Sequence, residues 1–95
     1  DAKNLINLQV TQLRKQEGEA FEKLTMAQNN LSSAEENLRT ATVGFEEGVI
    51  ETNTALAAQT AWLKAHSEYI DAGIELQMLA ANLNKAEGNN HAQAR

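Results

Sequence analysis

The 95-residue sequence contains no proline and no cysteine, and its only aromatic residues are two Phe, one Tyr and one Trp. Without proline, the chain has no obligatory helix breaker. Without cysteine, it cannot form a disulfide scaffold or a thiolate metal site. A compact core built around large rings is also excluded. The abundant Ala, Leu, Glu and Gln favour helix interiors, so the composition predicts long helices.

The sequence is also poor in basic residues, with 8 Lys and Arg against 13 Asp and Glu and a net charge of −5. Because it has no basic patch, we expect binding neither to nucleic acid nor to anionic lipid. No apolar run is long enough for a transmembrane helix. His66 and His91 lie far apart, and no phosphate-binding loop or catalytic combination occurs. We therefore expect no enzyme activity, no cofactor and no metal site.

Apolar residues recur at alternating steps of three and four along both halves of the chain, which is the spacing of a coiled-coil seam. In the first half the seam residues are Ile6, Val10, Leu13, Glu17, Ala20, Leu24, Ala27, Leu31, Ala34, Leu38, Ala41 and Phe45, of which only Glu17 is not apolar. In the second half they are Ala55, Ala58, Trp62, Ala65, Tyr69, Ala72, Leu76, Leu79, Leu83 and Ala86. The recurrent alanines predict that the two backbones approach closely.

The second half carries another apolar stripe beside its seam. It consists of Leu56, Leu63, Ile70 and Ile74. A two-stranded coiled coil needs only one narrow seam, so we expect this helix to have neighbours on two sides. A free chain with this surplus apolar surface is expected to self-associate, as an antiparallel dimer that makes a four-helix bundle.

The heptad spacing is interrupted between Gly44 and Thr54. Gly48 is suited to the left-handed conformation that ends many helices, and Thr52, Asn53 or Thr54 could cap the next helix. Because this connection is short, the helices must fold back antiparallel. The sequence therefore predicts an all-α coiled-coil hairpin with helices at about 3–46 and 53–87, a turn at about 47–52 and a polar tail at 88–95.

The segment from Ala34 to Gly88 resembles the repeat of the TolC-type outer-membrane efflux protein family. In that repeat, an aromatic residue and a glycine three positions later precede Leu-x-Ala-Gln. Leu, Ala, Tyr and Ala follow at heptad spacing, and Ala-x-Gly closes the repeat. The matching residues are Phe45, Gly48, Leu56, Ala58, Gln59, Leu63, Ala65, Tyr69, Ala72, Leu83, Ala86 and Gly88.

This resemblance implies a C-terminal hairpin from a homotrimer in the outer membrane and periplasm of a Gram-negative bacterium. Three protomers with two hairpins each would form a periplasmic tunnel for export of small molecules or proteins. A β-barrel missing from this sequence would hold the tunnel in the outer membrane. The hairpin turns would meet a periplasmic adaptor and, through it, an inner-membrane pump. Thr54 and Ala57 stand where the family often has pore aspartates, and Ile50 stands where some members have arginine.

Three sets of residues follow as candidate sites. The adaptor-docking residues are Val43, Gly44, Phe45, Gly48, Val49 and Ile50, unless Phe45, Val49 and Ile50 instead fold over the end of the seam. The acidic residues Glu46, Glu47 and Glu51 would ring a cation-favouring mouth in a trimer, or would simply be solvated. The principal inter-helix seam residues are Leu24, Leu31, Leu38, Trp62, Tyr69, Leu76 and Leu83.

An alternative is the coiled-coil hairpin of a periplasmic adaptor (membrane fusion) protein, or an unrelated helical oligomerisation module. Adaptor hairpins resemble this one in their long Ala- and Leu-rich helices, and they usually carry Arg, Leu and Ser at set spacing near the tip. Here Arg39 is followed at those positions by Val43 and Ile50. The missing serine favours the channel over the adaptor.

Overall fold

The computed structural model describes the backbone of residues 2–94 and the side chains of residues 3–86. Helix α1 comprises Ala2–Glu46 and helix α2 comprises Thr52–Ala94. The two helices form an all-α hairpin, and no strand occurs between residues 2 and 94. The predicted fold class is confirmed.

Both helices begin close to the predicted positions, but α2 continues to Ala94 instead of ending near residue 87. The predicted polar tail at 88–94 is therefore helical, and Arg95 lies outside the described residues. Gly88 is the residue at which the tail was expected to begin. A single helical glycine costs only about 1 kcal/mol relative to alanine, and no proline follows it, so helical hydrogen bonding can pass through this position.

Contacts within the chain divide it into two compact units. The turn unit, residues 25–71, contains the end of α1, the connection and the start of α2. The terminal unit combines the start of α1, up to Leu24, with α2 from Ala72 onward. Each unit therefore contains one segment from each helix.

Alanine forms the buried centre of the seam in both units. The buried apolar residues are Ala27, Ala41, Ala58 and Ala65 in the turn unit, and Ala20 and Ala72 in the terminal unit. Along each helix these alanines are separated by multiples of seven residues. A methyl side chain at such positions lets facing backbones approach closely.

The larger seam residues lie at the margins of this alanine centre. Half-buried in the turn unit are Leu31, Leu38, Trp62 and Tyr69, and half-buried in the terminal unit are Leu24, Leu76 and Leu83. Even Glu17, the one charged seam position, is half-buried. Phe45 is the exception among the predicted seam positions, because it is exposed at the end of α1.

Within the described part of the chain, neither helix contains a stretch both long and apolar enough to cross a membrane.

Candidate functional site at the hairpin tip and on the second helix

The tip, residues 43–51, begins with a Schellman motif that ends α1. The Val49 amide donates to the Gly44 carbonyl at 2.8 Å, and the Gly48 amide donates to the Phe45 carbonyl at 3.0 Å. Gly48 has a φ of +76°, a conformation that a Cβ atom disfavours. The predicted role of Gly48 is confirmed.

Ile50 then folds back over the last turn of α1. A Cβ atom built on Gly44 would lie 2.4 Å from Ile50 Cδ1 and 2.7 Å from Ile50 Cγ1. The Ile50 amide also donates to the Gly44 carbonyl at 3.1 Å. Ile50 therefore packs directly on Gly44, and both residues are half-buried. No spacing rule in the sequence pointed to this contact.

Helix α2 begins at Thr52, so the residue in the N-cap position is Glu51. Its carbonyl accepts hydrogen bonds from the Thr54 and Ala55 amides, both at 3.1 Å. The prediction that Thr52, Asn53 or Thr54 would be the cap was wrong, because these residues already belong to the helix. The position of Glu51 places a negative charge beside the positive end of the helix dipole, which is stabilising.

Three of the predicted docking residues present apolar surface at the tip. Val49 is 78% exposed, and Val43 and Phe45 are also exposed. Phe45 and Val49 therefore stay exposed instead of folding over the end of the seam, and Ile50 packs on Gly44. The three exposed residues surround a turn whose backbone is fixed by the Schellman hydrogen bonds, so their positions are defined by the fold.

The acidic residues Glu46, Glu47 and Glu51 are all exposed around the same turn. Their three carboxylates therefore lie among the exposed apolar residues of the tip. An apolar patch rimmed by charge is typical of a surface that contacts a partner.

A second candidate surface lies on α2 within the turn unit. Leu56, Leu63 and Ile70 are 52%, 58% and 45% exposed, although the seam of the same helix is half-buried or buried. The residues beside them on this side of the helix are Gln59, Thr60, His66 and Ser67, and none of them is Lys, Arg, Asp or Glu. We call these seven residues the charge-free face. In the terminal unit, the fourth stripe residue, Ile74, is also half exposed.

The charged residues of α2 in the turn unit lie on another side. Lys64, Glu68 and Asp71 are spaced by four and three residues, which places them along one row of the helix surface. Helix α2 therefore has three distinct sides in this unit: the seam, the charge-free face and a charged row.

Ion pairs and ring contacts add a few local links. In the terminal unit, Lys23 Nζ lies 3.3 Å from Glu75 Oε2 and so joins α1 to α2, a partner that the sequence did not identify. In the turn unit, the rings of Trp62 and His66 stack with centroids 5.0 Å apart. Their spacing of four residues could have predicted this contact, since such residues are neighbours on a helix.

Among residues 3–86, no three His, Asp or Glu side chains come together in a group that could hold a metal ion. His91, the second histidine, has its side chain outside the described residues. Over the described range, the geometry offers surfaces for contact with other macromolecules: the exposed tip and the charge-free face.

Comparison of the chain with protein-family models, with curated proteins and with solved structures finds no match.

Proposed function

We propose that this hairpin forms part of the periplasmic tunnel wall of a trimeric outer-membrane efflux or secretion channel, and that its tip docks a periplasmic adaptor. The observation that supports this most directly is the charge-free face. Leu56, Leu63 and Ile70 remain about half exposed after the seam has formed. Neighbouring exposed apolar residues of this kind are typical of a surface that contacts a partner.

A tunnel wall built from helices requires each helix to contact neighbours on two sides. The seam of α2 supplies the first contact surface, and the charge-free face supplies a second surface on the same helix. Its large apolar residues again recur every seven positions, the spacing that lets one helix pack along another. This second surface favours the channel over a two-stranded adaptor hairpin, which needs only one seam.

The tip supports the docking part of the proposal. Val43, Phe45 and Val49 are exposed on a turn that is held rigid by backbone hydrogen bonds. A preformed apolar surface binds a partner without first being ordered, which favours association. Glu46, Glu47 and Glu51 would place nine carboxylates around the mouth of a trimer and favour the entry of cations.

Cell fractionation tests the channel against the adaptor. The protein is produced from its complete gene in a Gram-negative host, and the inner and outer membranes are separated. We expect a trimer in the outer membrane. Recovery as a monomer, or in the inner-membrane fraction as expected for an adaptor, would contradict the proposal.

A matched pair of substitutions tests the role of the charge-free face in that trimer. Leu63→Glu places a charge on the face and should lower the yield of trimer. Met26→Glu is the control, because Met26 is 65% exposed on α1 in the same unit. Equal yields of trimer from the two variants would show that the face is not an assembly surface.

The tip is tested separately by crosslinking the assembled channel to its adaptor. Val49→Arg should reduce the crosslinked product without reducing the amount of trimer, with Met26→Arg as the control. Replacement of the three tip glutamates by glutamine should lower the ratio of cation to anion permeability of the purified channel. Unchanged selectivity would leave these carboxylates as solvated loop residues.

A further inference from the structure

The edge of the charge-free face carries two opposite charges. Lys64 directly follows Leu63 and Asp71 directly follows Ile70, and all four residues are exposed in the turn unit. Ser67 lies between the two charges, three residues after Lys64 and four before Asp71. Residues at these spacings are neighbours on the helix surface. Along the chain direction, the edge therefore carries a positive charge at Lys64, a hydroxyl group at Ser67 and a negative charge at Asp71.

When a second copy of the helix runs in the opposite direction, its positive end faces the negative end of the first copy, so the two edges are complementary. If two copies of α2 pack antiparallel about a two-fold axis near Ser67, the Lys64 side chain of each copy lies opposite the Asp71 side chain of the other. The same register places Leu63 of each copy against Ile70 of the other. A two-fold interface uses the same patch on both subunits, so each favourable contact is made twice.

We propose that this chain forms an antiparallel dimer in solution through the charge-free face, with Leu63 packed on Ile70 and Lys64 paired with Asp71 between copies. The proposal concerns two copies of this chain and does not rest on the channel function. It specifies the face and the register of the self-association that the sequence led us to expect.

Charge favours a second copy in this orientation over a parallel one. Each chain carries a net charge of −5, so two copies repel one another except where uncharged surfaces meet. In a parallel pair of helices, the edge on one side of the contact face lies opposite the other edge of the partner's contact face. Lys64 and Asp71 would then lie opposite the uncharged edge that contains Gln59 and His66, without an ionic partner.

The size of the face sets the expected affinity. From Leu56 to Ile70 the face is about 21 Å long at 1.5 Å per residue. Three half-exposed apolar side chains per copy give a contact area near the low end of specific interfaces. We therefore expect a reversible dimer that dissociates in the micromolar range, at roughly 10 to 100 µM.

Sedimentation equilibrium of the 95-residue chain, from low to high micromolar concentration, tests whether the dimer forms. Leu63→Glu should weaken it by at least about a hundredfold, because a charge would be buried without a partner in each copy. Met26→Glu adds the same charge to another exposed apolar residue of the turn unit and should leave the dimer intact. A monomer throughout, or equal weakening by both substitutions, would overturn the proposal.

Charge reversal tests the register. Lys64→Asp alone and Asp71→Lys alone each replace two attractions by two repulsions and should weaken the dimer about tenfold. The double variant restores complementary charges and should return the dissociation constant to within about threefold of the original. Single reversals without effect, or a double variant no better than the singles, would refute the Lys64–Asp71 pairing.

Cysteine crosslinking tests the orientation, and the absence of cysteine from the sequence makes single-cysteine variants unambiguous. Ser67→Cys lies near the proposed two-fold axis and should form a disulfide between copies under mild oxidation. Thr60→Cys lies on the same edge, seven residues earlier, and the two Thr60 positions should be about 22 Å apart. A parallel dimer would place this edge opposite the edge that contains Gln59 and His66, so Ser67→Cys would crosslink no more readily than Thr60→Cys. That result would overturn the antiparallel arrangement. Helix content measured by circular dichroism confirms that each variant is folded.

Discussion

The contact between Gly44 and Ile50 leads to an unusual expectation: the same Gly→Ala change should have opposite effects at two positions of α1. Gly18 and Gly44 are both helical. A Cβ atom added at Gly18 would meet nothing within 4 Å, whereas one added at Gly44 would lie 2.4 Å from Ile50 Cδ1. Their surroundings therefore differ although the change in helix propensity is the same.

The magnitudes follow from helix propensity and from packing. Replacement of a helical glycine by alanine gains about 1 kcal/mol, so Gly18→Ala should raise the melting temperature by about 4–8 °C for a chain of this size. At Gly44 the same gain is opposed by displacement of Ile50, and overpacking of this kind costs about 1–3 kcal/mol. Gly44→Ala should therefore lower the free energy of unfolding by up to about 2 kcal/mol.

A double-mutant cycle isolates the contact within the turn unit. In an Ile50→Ala background, the obstruction beside Gly44 is gone, so Gly44→Ala should become stabilising by about 1 kcal/mol. The assay is thermal and urea unfolding followed by circular dichroism at one fixed protein concentration, because association shifts the apparent stability. If Gly44→Ala stabilises the unmodified chain as much as Gly18→Ala does, or if Ile50→Ala leaves its sign unchanged, then Ile50 does not pack on Gly44.

Substitutions at three further positions test other parts of the fold by the same unfolding assay. Gly48→Ala should destabilise by about 1–2 kcal/mol, because it forces a Cβ atom into the left-handed region, and Gly48→Asn should cost less; equal costs would contradict this account. Ala65→Leu should destabilise by about 1–3 kcal/mol, because Ala65 is buried in the seam, and a neutral outcome would mean that the helices are not closely packed there. Glu75→Gln should cost less than about 1 kcal/mol, because Lys23 and Glu75 are both solvent-exposed, and a larger loss would show that this ion pair is important for joining the helices.

The sequence predicted the seam well because the same spacing of apolar residues repeats along both helices. Each described position of the three-and-four pattern is buried or half-buried except Phe45, and the stripe residues Leu56, Leu63, Ile70 and Ile74 are all exposed. A heptad pattern sustained over many turns leaves little freedom in which side of a helix faces its partner. The burial of alanines such as Ala58 and Ala72 follows from the same repetition.

The details of the tip depended on single contacts and could be predicted only in part. Gly48 was identified because the left-handed conformation selects for glycine. The packing of Ile50 on Gly44 depends on the path of the turn, which no residue spacing reveals. The cap at Glu51 was missed because capping preference favours Thr and Asn, whereas here the backbone carbonyl of Glu51 starts the helix.

The two helices also differ in what they require from a partner. In the turn unit, α2 has large exposed apolar residues at heptad spacing, whereas the outer surface of α1 carries mainly polar residues such as Asn30, Ser33 and Asn37. A lateral neighbour should therefore be recruited through α2, and α1 should remain in contact with water. In a channel that neighbour would be another hairpin of the wall, and in the isolated chain it would be the same face of a second copy. Both assemblies bury Leu63 against a neighbour, so antiparallel dimerisation and incorporation into a wall should be mutually exclusive.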